Sequence, residues 1–279
     1  MSAPSQPPMQ RPASVPYKPT VKKSNKKLVI IGVVVIVAVL IIAAAAMSMG
    51  GNTKATDNNG SNNGSNDNSN NNNTNTQTRD QIANKTYSGV TDTVTQKFSL
   101  QAGVTIFHMK SSATSNFIVW LYNDTGVQKE LLANEIGAYN GAQLVGVKDG
   151  NIIGVTPGQY YMQVTSNAAW SIVVEQPRVS SAAALPKTLT GTGPNVTIPI
   201  QLNSGVAVFD MTYTGTSNFI VTLTADNGDY VEYLANEIGS YTGQKSVTVN
   251  GGLLNASPGI HWINVDSSGD WTITVKMMA

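Results

Sequence analysis

The chain has no cysteine in its 279 residues. That excludes disulfide staples, thiolate metal sites, a cysteine nucleophile and a lipid-modified N-terminal cysteine. Small domains in such a chain must stand on apolar burial. Charge is scarce too: Asp, Glu, Lys and Arg make up 12% of the residues, against about 25% in an average soluble protein. Histidine occurs twice, at His108 and His261. There is no G-x-S-x-G, no phosphate-cradling glycine loop and no H-E-x-x-H. These absences predict a protein that is not an enzyme and carries no cofactor or metal. The net charge is +1, from 17 bases and 16 acids. Arg11, Lys18, Lys22, Lys23, Lys26 and Lys27 stand in a first segment without an acid, so the remainder is net acidic. Nucleic acid needs clustered Lys and Arg, and is not an expected partner.

What the N-terminal part does contain is a long apolar run. Residues 28–49 carry no charge and are dominated by Val, Ile, Leu and Ala. A membrane-spanning helix needs ~20 such residues. The competing reading is a cleaved signal peptide, with Ala44-Ala45-Ala46 as the small-residue site, but signal cores run only ~7–15 residues behind a short leader. Lys22, Lys23, Lys26 and Lys27 crowd one end of the run and Lys54 stands alone past the other. The positive-inside rule then predicts a single-pass membrane protein with its N-terminus in the cytoplasm and the rest outside the cell. Residues 1–27 read as a disordered, Pro-rich basic tail able to touch anionic lipid headgroups. Residues 50–83 read as an Asn/Ser/Gly-rich stalk with a reach of roughly 30 Å.

The remaining two-thirds is written twice. Ser115-Asn116-Phe117-Ile118-Val119 returns as Ser217-Asn218-Phe219-Ile220-Val221, and Leu132-Ala133-Asn134-Glu135-Ile136-Gly137 as Leu234-Ala235-Asn236-Glu237-Ile238-Gly239. Gly103, Phe107 and Met109 recur as Gly205, Phe209 and Met211, and Trp170 as Trp271. Such a duplication has to be recognised before any fold is assigned. It predicts repeat 1 at 84–176, a linker at 177–185 and repeat 2 at 186–279. Short runs separated by turn signals predict strands near Thr95–Leu100, Val104–Lys110, Asn116–Tyr122, Glu130–Asn134, Ala142–Val147, Gln159–Thr165 and Trp170–Glu175. The fold class is therefore all-β: two tandem antiparallel β-sandwich domains of jelly-roll type.

Comparing the repeats separates the two sides of each strand. Phe117, Val119 and Leu121 are unchanged as Phe219, Val221 and Leu223, which marks the core side. On the other side Trp120 and Tyr122 become Thr222 and Thr224, so that side faces outward. Tyr160, Met162 and Val164 align with His261, Ile263 and Val265 as core positions, leaving Tyr161 and Trp262 outward. His108 is expected outward, and His261 at a rim packed on aromatic neighbours. Glu135 and Glu237 read as structural residues at a strand end entering a turn. Asp226-Asn227-Gly228-Asp229 lacks the later ligands of a calcium loop and reads as a hairpin turn.

The remaining candidates for a binding site are Trp120, Tyr122, Tyr161 and Trp262. Exposed rings beside polar groups suit a binding or adhesion module in contact with an envelope glycan or a surface protein. The competing reading buries them between the two sandwiches or under a loop. The alternative function is a structural or accessory subunit of a membrane complex, with the spanning helix and basic tail as its working parts. Asn59, Asn63, Asn72, Asn84, Asn123, Asn195 and Asn255 each begin an N-x-S/T triplet, the acceptor pattern for N-linked glycan.

The run N-F-I-V-x-L, then L-A-N-E-I-G-x-Y-x-G, then P-G-x-Y-Y-x-x-V and a W-x-I ending resembles the pre-peptidase C-terminal-like β-sandwich modules of prokaryotic exported proteins. The resemblance covers both repeats. It implies small all-β accessory domains outside the cell, with a binding or adhesion role. Such modules accompany a catalytic domain in peptidases, and this chain has none.

Overall fold

The computed structural model describes residues 82–151, 154–252 and 255–278. The expected tail, spanning helix and stalk up to residue 81 lie outside the described residues.

Repeat 1 is built from β1 (Lys85–Gly89), β2 (Thr93–Val94), β3 (Phe98–Leu100), β4 (Gly103–Ser111), β5 (Asn116–Asn123), β6 (Gln128–Ile136), β7 (Tyr139–Val147), β8 (Gly158–Thr165) and β9 (Trp170–Glu175). Repeat 2 follows with β10 (Lys187–Thr192), β11 (Asn195–Val196), β12 (Ile200–Leu202), β13 (Gly205–Tyr213), β14 (Asn218–Ala225), β15 (Tyr230–Ile238), β16 (Tyr241–Val249), β17 (Gly259–Ser267) and β18 (Asp270–Met278). In repeat 1 one sheet has the order β1-β9-β4-β7 and the other β2-β8-β5-β6, with β3 also on β8. Repeat 2 repeats both orders. All pairings between these strands are antiparallel. Strands that alternate between two facing sheets in this way make a jelly roll.

The alternation that predicted the core holds. Phe107, Met109, Phe117, Val119, Leu121, Met162 and Val164 are buried between the sheets of repeat 1. Phe209, Met211, Phe219, Val221, Leu223, Ile263 and Val265 do the same in repeat 2. Trp170 and Trp271 both point inward, and their indole N–H groups donate to Thr91 O and Gly193 O at 3.0 Å. Two differences stand out. The expected strand Thr95–Leu100 shortens to β3, and β1 was not expected at all. The sequence of β1 contains no large aliphatic residue. Tyr87 packs on the repeat 1 core instead, its ring 5.5 Å from that of Phe98, and Gly89 lies opposite Trp170, where an added Cβ would lie 2.7 Å from the indole ring. Gly191 lies under Trp271 in the same way.

The two sandwiches share a joint. β7 is an edge strand of repeat 1, and repeat 2 covers it. Ala142 N donates to Pro194 O at 3.1 Å, and Leu144 N donates to the Asn264 side-chain oxygen at 3.1 Å. Val104, Ile106, Ala142 and Leu144 pack with Trp262, beside Val179 and Val196. Lys148 pairs with Asp229 across the joint. A Cβ on Gly146 would lie 2.1 Å from Gly228 O, so only glycine allows that approach. The linker takes part: Arg178 donates to Ala102 O at 3.0 Å and Val179 joins the apolar cluster. An uncovered edge invites pairing with another chain, and here the second sandwich closes it.

Candidate functional site

The outer face of the β2-β8-β5-β6 sheet carries the candidate rings of repeat 1. Strand register sets them in two rows. Val94, Gln163, Trp120 and Leu131 lie side by side across β2, β8, β5 and β6. Tyr161, Tyr122 and Gln128 form the next row. Trp120, Tyr122 and Tyr161 are half-buried, with Gln163 exposed between them. The Tyr122 and Tyr161 rings stack at 5.4 Å, 7° from parallel. Stacking holds both rings upright on the sheet, since each blocks the other's rotation. Bulges in the β5–β6 pairing on either side of Trp120-Leu121 bury the adjacent residues Leu132 and Ala133 while keeping the rings outward. Val94 is 62% exposed and Val127 53% exposed at the margins. Neither was singled out from the sequence. A lone valine in a polar stretch gives no signal until the register places it beside the rings.

Trp262 requires a correction. It does face out of its own sandwich, but repeat 1 covers it and it is only 4% exposed. Its indole N–H donates to the Asp226 carboxylate at 3.1 Å. Of the four expected contact rings, three share one face and the fourth belongs to the joint. His261 also differs from expectation. It is buried at 1% exposure, with Nδ1 3.1 Å from Gly259 O and Nε2 without a partner. Burial holds its pKa below the ordinary histidine value, partly offset by the Gly259 carbonyl and the Asp226 charge. His108 lies on the surface and meets Glu175 at 2.8 Å.

Several titrations are displaced at the joint. Burial pushes the Glu130 carboxyl up to about 7. Its charge in turn adds to burial in raising the Tyr233 hydroxyl of repeat 2. Tyr139 is raised by burial first, then by Asp266 and Glu135. Glu135 and Glu237 sit at the ends of β6 and β15, where Gly137 and Gly239 take positive φ to turn the chain. Asp226-Asn227-Gly228-Asp229 forms the tight connection from β14 to β15, with Asp229 N donating to Asn227 Oδ1 at 3.0 Å. Among the described residues no group of three or more His, Asp or Glu side chains could hold a metal ion.

Asn84, Asn195 and Asn255 are exposed. Asn123 uses its side-chain oxygen to accept from Val127 N at 2.7 Å and from the Thr125 hydroxyl at 2.9 Å. Asn59, Asn63 and Asn72 lie outside the described residues.

No family model and no curated protein matches the chain. Among solved structures it is similar to a protein of Sulfolobus Turreted Icosahedral Virus, at 16% identity and TM-score 0.25, over 64% of this chain and 50% of that one. It is also similar to an archaeal-virus protein of triple jelly-roll fold, at 14% identity and TM-score 0.25, over 71% and 53%. A cupin 2 conserved barrel domain protein from Leptotrichia buccalis matches at 10% identity and TM-score 0.19, over 72% and 92%. The chain thus spans about half the length of the two viral proteins. Strand order, rather than these likenesses, defines the jelly roll.

Proposed function

We propose that this chain is a membrane-anchored surface protein that displays a non-catalytic binding module, and that the outer face of repeat 1 is its contact surface. The observation that carries this reading is the stacked Tyr122–Tyr161 pair beside Trp120, flanked by exposed valines. Large rings held on a flat sheet give contact area at low entropic cost. The equivalent face of repeat 2 is occupied by protein, so a protein contact is favoured over a glycan. The apolar run at 28–49 supplies the anchor and the segment after it the reach. The resemblance to pre-peptidase C-terminal-like modules agrees with an accessory role outside the cell.

The test is retention of the full-length protein on isolated cell envelopes, before and after the envelope glycan is stripped of protein. Trp120→Thr with Tyr122→Thr, which places the residues of repeat 2 on repeat 1, should abolish retention on intact envelopes. Retention that survives the double substitution overturns the assignment of the face. Retention by protein-free glycan would make the ligand a glycan.

A further inference from the structure

The joint inside the molecule shows what this kind of face does. In repeat 2 the row Val196, Asn264, Thr222, Tyr233 corresponds strand by strand to Val94, Gln163, Trp120, Leu131 of repeat 1. Trp262 corresponds to Tyr161. Asn264 and Trp262 are the residues that close over the β7 edge. Repeat 1 therefore presents an open counterpart of a docking face already in use.

The matching acceptor is open as well. β16 is the counterpart of β7, and Gln244, Ser246 and Thr248 on it are exposed where Ala142 and Leu144 are buried. Val206 and Val208 stand where Val104 and Ile106 line the joint, but Val208 is already covered within its own repeat at 2% exposure, so the contact would rest on the β16 edge rather than on that apolar floor. The sizes compensate: Trp120 is larger than Thr222, and Ser246 is smaller than Leu144. Three positions oppose a close copy of the joint: Thr248 replaces Gly146, whose missing Cβ lets Gly228 approach, and Asn250 and Val127 stand where Lys148 and Asp229 form their ion pair.

We propose that the occupant of the repeat 1 face is the β16 edge of a second copy of this chain, giving head-to-tail association. The proposal rests on the reading of that face as a contact surface. Gln163 takes the part of Asn264, accepting from the Ser246 N–H as Asn264 accepts from Leu144. Thr248 tilts the contact toward the Trp120 row and makes it weaker than the internal joint. Such a contact is heterologous, so it leaves a free donor face at one end and a free acceptor edge at the other, and propagates into chains. Confinement to a membrane raises the effective concentration that weak association needs.

The absence of cysteine makes the test clean. Full-length Val94→Cys, next to Gln163 in the same row, and Ser246→Cys proteins are reconstituted into lipid vesicles, alone and mixed, and treated with a short bis-maleimide. Both positions are exposed, so both variants should melt as the parent does. Crosslinked dimer should form in the mixture and be lost from each variant alone, and a chain carrying both substitutions should give a ladder. Adding Trp120→Thr and Tyr122→Thr should remove the dimer, and Thr248→Gly should increase it. Dimer from Val94→Cys alone would mean two repeat 1 faces meet, which overturns the head-to-tail arrangement. No crosslink in any sample, with envelope retention still dependent on Trp120 and Tyr122, overturns self-association and leaves the binding reading standing. Loss of envelope dependence with crosslinks present removes the envelope partner and keeps self-association.

Discussion

Repeats 1 and 2 share strand order, core and a tryptophan seated over a glycine, yet they treat the same outer surfaces in opposite ways. Repeat 1 buries its β7 edge and leaves its aromatic sheet face open. Repeat 2 buries that sheet face and leaves its β16 edge open. The repeats differ there in a handful of side chains: Ala142, Leu144 and Gly146 against Gln244, Ser246 and Thr248, and Trp262 in the joint where Tyr161 stacks on Tyr122. A duplicated fold thus acquires direction without any change of architecture, because core and outer positions alternate along each strand and vary independently.

The comparison breaks most violently at what the repeats share. Trp170→Ala or Trp271→Ala should cost about 3–5 kcal/mol, enough to unfold or nearly unfold the repeat concerned. Calorimetry would show the unfolding heat reduced by that repeat's share, and an unchanged melting temperature would contradict the buried indole-on-glycine contact.

Next in size is the joint. Trp262→Ala should cost about 2 kcal/mol or more of coupling, as for a central interface aromatic. The repeats should then melt separately where the parent melts together. A single coincident transition in the variant would show that Trp262 does not hold them.

The joint and the repeat 2 core should respond to pH with opposite signs. Glu130 has its folded pKa raised from 4.5 to about 7 by burial. Its protonated form is favoured in the native state, so its contribution is full below pH 4.5 and is lost as pH rises through about 7. Glu130→Gln should flatten that slope. His261 has a lowered folded pKa. Its contribution is full above the ordinary histidine value of 6.5 and is lost as pH falls below it. Urea melts of the parent and of Glu130→Gln across this range would separate the two slopes. A parent slope unchanged by Glu130→Gln would contradict the assignment of Glu130.

A smaller effect concerns a buried hydroxyl. Thr105 is fully buried, and its Oγ1 has no hydrogen-bond partner among the described residues. The counterpart in repeat 2 is Ala207. Thr105→Ala should stabilise repeat 1 by about 1 kcal/mol, since an unpaired buried polar group costs that order of free energy. A loss of stability would mean the methyl group matters more than the hydroxyl.

The smallest expected change is also the most discriminating. Trp120→Thr with Tyr122→Thr should shift the stability of repeat 1 by no more than about 0.5 kcal/mol, as for surface substitutions. Unfolding would show that these rings belong to the core.

The sequence by itself determined the duplication, the all-β character and which side of each long strand is buried. Period-two alternation and an internal second copy are local signals, and Phe117, Val119 and Leu121 against Trp120 and Tyr122 are enough to read them. Tertiary structure alone decided that β1 exists, because it packs Tyr87 on Phe98 and seats Gly89 under Trp170, far away in the chain. It decided that Trp262 is covered while Tyr161 is not, although both occupy the same outward position. It also placed His261 in the core, where the sequence pattern suggested a rim. Alternation says which side of a sheet a residue is on; only packing between sheets and between domains says whether that side meets solvent or another part of the chain.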